Sequence, residues 1–223
     1  MEIMKLNNIT KIYNSDDSNE VVALKDVSVS FELGKLYAIM GPSGSGKTTL
    51  INILGLLDDA TSGEYIFENK KSDELNEIEK ANIRNSKIGF VFQTFYLDNN
   101  LTAYENVLLP VLKNNNLTRE EKKDKVEKLL DKFNLLNRKN HYPNELSGGE
   151  CQRIAIARAL INDPLIIIAD EPTGNLDEEN EKLIFNYLKD ISKSGKCVIV
   201  VSHNKDIKKY CDNLYEINGG KLS

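Results

Sequence analysis

The sequence predicts an α/β fold built on a mainly parallel sheet, and three observations carry that expectation. Short apolar runs alternate with segments of helical periodicity along the chain, the pattern of strands joined by crossover helices. Four of those runs, at 36–40, 88–92, 165–169 and 198–201, are apolar throughout, as strands covered on both faces are. Each is followed by a polar or glycine-rich turn with a chemically suggestive residue, and open α/β sheets bind ligands beyond the carboxyl ends of their strands.

Taken in order, the N-terminal segment departs from this pattern. Residues 4–13 and 27–32 alternate more and are split by a polar loop at 14–20, so they read as antiparallel strands, with Glu64-Tyr65-Ile66-Phe67 joining them. Lys35-Leu36-Tyr37-Ala38-Ile39-Met40 is a short buried strand, and Thr49-Leu50-Ile51-Asn52-Ile53-Leu54 opens a helix. Residues from about 95 to 163 form a mostly helical insertion between two sheet strands. Within it Thr118-Arg119-Glu120-Glu121 has capping-box spacing with Leu117 as the staple. Val126, Leu129, Leu130 and Phe133 then fall on one core-facing stripe, leaving the lysines and glutamates on the wet face. The tail 214–222 reads as a hairpin around Asn218-Gly219. One domain spanning 1–223 is expected, with residues 95–163 as its helical subdomain.

Hydrophobic residues make up 40% and charged residues 28% of the 223, the composition of a soluble globular protein with a sizeable core. No run approaches about 18 consecutive apolar residues, and Met1-Glu2-Ile3-Met4-Lys5 lacks a signal-peptide apolar region, so a cytoplasmic chain is expected. The net charge of -5 argues against nucleic-acid binding and against direct adhesion to anionic lipid. Cys151, Cys197 and Cys211 are too few and too irregular for a disulfide framework or a zinc site.

The run Gly41-Pro42-Ser43-Gly44-Ser45-Gly46-Lys47-Thr48-Thr49 fits G-x-x-x-x-G-K-[ST] between a strand and a helix. Glycines there free the backbone to curl around a phosphate chain, with Lys47 reaching the β- and γ-phosphates and Thr48 offering its hydroxyl to Mg²⁺. The helix N-terminus behind the loop favours an anion. A nucleoside triphosphate is the expected ligand. Leu165-Ile166-Ile167-Ile168-Ala169-Asp170-Glu171 ends an apolar strand in two carboxylates. Asp170 can hold the Mg²⁺ shell, and Glu171 can orient and deprotonate an attacking water.

Leu146-Ser147-Gly148-Gly149-Glu150, followed by Gln152-Arg153, resembles the signature sequence of ATP-binding-cassette (ABC) ATPases. Ser147 to Glu150 has S-x-x-E spacing, so Ser147 caps a helix whose first residues are bare, a second phosphate receptor. The resemblance covers essentially the whole chain. It implies a phosphate-loop NTPase of ABC type, with a mainly parallel core sheet, an N-terminal antiparallel β subdomain and a helical subdomain. It also implies ATP and Mg²⁺ as ligands and ATP hydrolysis as the reaction. ATP would be sandwiched in a head-to-tail homodimer, with Ser147, Gly148 and Gly149 contributed by the opposite copy.

By the same resemblance Gln93 contacts Mg²⁺ and the attacking water and opens the segment that senses a membrane partner. Asp177 is the fixed carboxylate of Pro172-Thr173-Gly174-Asn175-Leu176-Asp177, through which the two copies communicate, and His203 is the switch histidine near the γ-phosphate. Tyr13 matches the residue that stacks on adenine, or packs against neighbouring strands instead. His141 is expected at the surface. Cys151 and Glu150 stand where many relatives carry glutamine; a thiol in a helix's first turn should be somewhat acidic and reactive.

Segments 92–97 and 101–107 and the pair Leu109-Pro110, with Arg84, look most like the subgroup of lipoprotein-releasing, macrolide-export and antimicrobial-peptide systems, whose relatives include a cell-division ATPase. The implied partner is a separate integral membrane permease, docked around 93–101, which would hold the chain peripherally at the cytoplasmic face of the membrane. Export or extraction of a peptide, lipoprotein or drug is the leading expectation. ATP-driven signalling through a membrane partner to cell-wall or cell-division machinery is the alternative.

Overall fold

The chain opens with β1 (Glu2–Tyr13), β2 (Val21–Glu32) and β3 (Leu36–Met40), then passes through the glycine loop into α1 (Lys47–Leu54). A short hairpin, β4 (Ser62–Phe67) and β5 (Lys70–Lys71), leads to α2 (Glu77–Lys87) and β6 (Ile88–Phe92). The helical stretch holds α3 (Ala103–Leu108), α4 (Arg119–Lys132) and α5 (Gly148–Leu160). The chain then returns to β7 (Ile166–Asp170), α6 (Glu178–Lys193), β8 (Cys197–Val201), β9 (Asn213–Asn218) and β10 (Lys221–Leu222). This computed structural model describes residues 1–14 and 20–223, so 15–19 of the expected polar loop lie outside the described residues.

Among the described residues two sheets form, one antiparallel in the order β2-β1-β4-β5 and one in the order β10-β9-β3-β8-β7-β6. The second is parallel from β9 to β6, with β10 antiparallel at its edge. The continuous apolar runs are explained by covering on both faces. Leu36, Ala38, Ile167, Ala169, Val198 and Val200 pack toward α3 to α6, while their alternate neighbours Tyr37, Ile39, Ile166, Ile168, Cys197 and Ile199 pack toward α1 and the antiparallel sheet. β1 and β2 slip register around Asn8 and Asp26, which take φ of 50° and 51°, a conformation Asn and Asp tolerate at bulges.

The expected helical insertion between β6 and β7 is present, and the Thr118–Glu121 capping box closes as its spacing requires. Val126, Leu130 and Phe133 are buried, with Leu129 packed beside them. Two points differ. The tail hairpin turns on Gly219-Gly220, both at positive φ as a two-residue type I′ loop demands, because Asn218 still belongs to the strand. Its first strand also joins the core sheet beside β3, through Tyr37–Asn213 to Met40–Glu216 pairing.

Candidate functional site

The strand order does what the sequence order cannot. Placing β3, β8, β7 and β6 side by side sets the loops at their carboxyl ends in a row: the glycine loop, His203, Asp170 with Glu171, then Gln93. Together they line one cleft of about 720 Å³, whose lining also includes Tyr13, Val21, Val22 and Ala23. Gly41, Pro42, Ser43, Gly44, Gly46, Lys47, Thr48 and Thr49 all reach it, whereas Ser45 is buried beneath the loop with its hydroxyl unpartnered.

The glycine loop is shaped from below. Gly46 sits at φ 107°, and a Cβ there would lie 2.4 Å from Ala23 O, so no other residue fits. The Gly220 amide donates to Ser45 O (3.0 Å) and the Lys25 amide to Gly220 O (2.8 Å), so the tail hairpin props the loop against β2. α1 begins with no side-chain cap and no acidic residue in its first turn, leaving its amides to an anion. The Lys47 ammonium donates to Gly41 O and Pro42 O, both at 2.8 Å, so it already overhangs the loop.

Tyr13 is oriented from outside the sequence motifs. Its hydroxyl donates to Asp58 Oδ2 (2.7 Å), and Lys11, paired with Asp58 at 2.6 Å, lies 4.9 Å from the ring centre. Burial alone would raise the Asp58 carboxyl, but hydrogen bonds from Lys11 and Tyr13 outweigh it and hold it below the usual range. The ring therefore stands at the cleft wall as a fixed apolar plate.

At the carboxyl end of β7, Glu171 takes φ 45° while its amide donates to Val201 O (2.9 Å). That turn aims its carboxylate at β8, where Oε2 lies 2.9 Å from His203 Nδ1 and accepts from the His203 amide at 3.2 Å. Asp170, one residue back, has its carboxyl raised, first by burial and then by the adjacent Glu171 charge, with Lys47 opposing. Gln93 is exposed at the cleft, donates to Asn175 Oδ1 (3.4 Å) and accepts from Asn175 Nδ2 through its carbonyl (3.1 Å).

Ser147, Gly148, Gly149 and Asp177 do not line this cleft. Ser147 caps α5: its hydroxyl accepts from the Glu150 amide (3.2 Å) while Glu150 Oε2 accepts from the Ser147 amide (2.9 Å). Ser147 and Gly148 are exposed. Gly149 is pressed against α6, where an added Cβ would meet Asn180 Oδ1 at 2.2 Å. Asp177 caps α6, and the Asn180 amide holds its carboxyl below the usual range.

Two expectations are corrected. Cys151 is buried with Sγ 3.5 Å from Pro143 O, and burial pushes its thiol up rather than down, so it is neither acidic nor accessible. His141 is half-buried, with Nδ1 enclosed and its carbonyl accepting from the Ala103 amide at 2.8 Å. Sequence reasoning also passed over Asp58, which no local pattern marks. It noted Gln152 without a role; the side chain is fully buried and donates to Pro172 O at 2.6 Å, just past Glu171.

The fold and the cleft are those of a phosphate-loop ATPase. Residues 24–174 match the family profile described as ABC transporter. The chain is 42% identical over 221 residues to the lipoprotein-releasing system ATP-binding protein LolD of Aquifex aeolicus, covering 99% of this chain and 96% of LolD. It is 43% identical over 218 residues to the macrolide export ATP-binding/permease protein MacB of Chlorobaculum tepidum, covering 98% of this chain but only 33% of MacB. Among solved structures, the dimeric post-hydrolysis state of the ATP-binding cassette MJ0796 bound to ADP and Pi matches with a TM-score of 0.90 at 41% identity, covering 99% of this chain and 97% of that one. MJ0796 comes from Methanocaldococcus jannaschii. The chain belongs to the ABC transporter family, and within it is an ATP-binding and ATP-hydrolysing subunit.

Proposed function

We propose that this chain hydrolyses MgATP as half of a head-to-tail homodimer and drives a separate membrane permease from the cytoplasmic face, exporting or extracting a peptide, lipoprotein or drug. The observation that carries the reading is where two helix N-termini lie. The α1 end lies in the cleft, whereas the exposed Ser147 end of α5 lies outside it. A second copy turned head to tail brings its Ser147 helix over the first copy's cleft. The MJ0796 cassette is dimeric when bound to ADP and Pi, which supports this arrangement.

In that closed site the loop amides and Lys47 bind the phosphate chain, Lys47 exchanging its two loop carbonyls for phosphate oxygens. Tyr13 stacks on adenine, the ring held by Asp58. Glu171 accepts a proton from the attacking water as its oxygen bonds to the γ-phosphorus and the bridging bond to ADP breaks. His203 orients that carboxylate through its 2.9 Å contact. Asp170, Thr48 and the Gln93 amide oxygen suit Mg²⁺, being hard oxygen donors that all line the cleft, and a nearby cation would favour the ionised form of the raised Asp170 carboxyl. A Mg²⁺ ion held by one carboxylate would take its other ligands largely from phosphates and water. Bound Mg²⁺ would neutralise charge on the β- and γ-phosphates. Asp177 would relay between copies from its place at the start of α6.

The separate permease draws support from the likeness to LolD, named as the ATP-binding protein of a lipoprotein-releasing system, whereas MacB carries both functions in its name. No helix among the described residues is long and apolar enough to cross a membrane. Lipoprotein and drug follow the two relatives' names, and peptide follows the resemblance of the segments beyond Gln93. The deciding variant is Glu171→Gln, which should retain ATP binding, lose at least about 100-fold in phosphate release, and form an ATP-dependent dimer in light scattering. A monomer at saturating ATP would remove the dimer from the reading. Affinity capture of the same variant with ATP from detergent-solubilised membranes should bring down an integral membrane subunit.

A further inference from the structure

Two residues beyond Gln93 the backbone takes an unusual course. Phe95 and Tyr96 are consecutive non-glycine residues in the left-handed region, at φ 59° and 46°. Side-chain-bearing residues hold that conformation only where their surroundings over-determine it. Here the constraint comes from Arg158, near the far end of α5. Its Nη2 donates to Phe95 O at 2.7 Å, and its Nη1 donates to Tyr96 O. The guanidinium is half-buried, and burial works against its charge. Its hydrogen-bond acceptors among the described residues are these two carbonyls.

The same helix meets the segment a second time at its start. A Cβ placed on Gly148 would lie 3.9 Å from Phe95 Cζ, so the Phe95 ring rests beside the N-terminus that Ser147 caps. These two contacts are roughly three helical turns apart along one rigid rod. One helix therefore grips the segment by its carbonyls at one end and by its ring at the other. A planar fork with fixed donor geometry suits two adjacent carbonyls, which a single ammonium does not span.

We propose that Arg158 is a positioning residue for ATP hydrolysis, locking residues 95 and 96 to the helix that carries Ser147, so that Gln93 enters the cleft in register with that helix. The two phosphate-side elements then move as one body: when Ser147 shifts toward or away from a nucleotide, the Gln93 segment follows. Tyr96, exposed beside this clamp, is the point at which an external contact would load it. This proposal rests on the roles of Gln93 and Ser147 given above.

The test is phosphate release against ATP concentration for the wild type, Arg158→Met, Arg158→Lys, Gln93→Ala and the Arg158→Met/Gln93→Ala double variant. Arg158→Met should lower kcat about tenfold with KM changed less than about twofold. In the Gln93→Ala background the same change should cost less than about twofold, because the two residues act as a unit. Arg158→Lys should recover part of the loss. Equal losses in both backgrounds, or a rise in KM alone, would overturn the proposal. Hydrogen exchange reads the clamp without reference to Gln93: amides 94–97 should exchange faster in Arg158→Met while those of β3 and β7 do not. Unchanged exchange there overturns the clamp, whereas faster exchange with an unaffected Gln93→Ala overturns only the role given to Gln93. Should Arg158→Met fail to fold, Arg158→Lys carries both measurements.

Discussion

Asp170 sits where a carboxylate is least favoured, at the end of a buried strand with another carboxylate next to it. Its folded pKa is raised, by burial first and by Glu171 second. A raised folded pKa means that the stability linked to this proton is fully present below the unfolded value and is lost as pH rises through the folded one. In the nucleotide-free protein at neutral pH, where the unfolded carboxyl is ionised, Asp170 therefore works against folding. Asp170→Asn should raise the thermal midpoint at pH 7, and the gain should vanish below about pH 4, where the unfolded carboxyl also keeps its proton. A lower midpoint at pH 7 would show that attraction to Lys47 outweighs burial. Asp170 and Glu171 were legible in the sequence as a pair at a strand end. Cys151 was misread because first-turn position says nothing of burial, and burial sets that thiol.

Among the elements, the start of α5 and the start of α4 are built alike. The Glu121 amide donates to Thr118 Oγ1 and the Glu150 amide to Ser147 Oγ, both at 3.2 Å, and each glutamate reaches back to its cap's own amide. Loss of either hydroxyl should cost about 1 kcal/mol of stability. The two should part in function. Thr118→Ala should leave phosphate release unchanged, whereas Ser147→Ala should lower it well beyond what its cap explains. Equal activity in the two variants at matched stability would reduce Ser147 to a plain cap. Both boxes were readable from S/T-x-x-E spacing. The clamp by Arg158 was not, since its acceptor carbonyls lie 62 and 63 residues away and nothing local to it marks them.

Across the whole molecule, legibility followed covering. β3, β6, β7 and β8 were plain as apolar runs because both faces of the core sheet are packed. β9 was read only as hairpin because Asn213-Leu214-Tyr215-Glu216-Ile217-Asn218 is mostly exposed, and its place beside β3 is set by a partner far back in the chain. That pairing has a consequence during synthesis. β3 and its glycine loop leave the ribosome early, yet the strands on either side of β3 are β8 and β9, and the prop beneath Ser45 is Gly220. Nascent chains halted before residue 197 should accordingly fail to retain immobilised ATP, and chains released past residue 220 should retain it. Retention by the shorter chains would mean that the loop shapes itself. A cell that aborts translation of this message thus produces fragments bearing the phosphate-loop motif but no working nucleotide trap, and no ATP is squandered on unfinished copies.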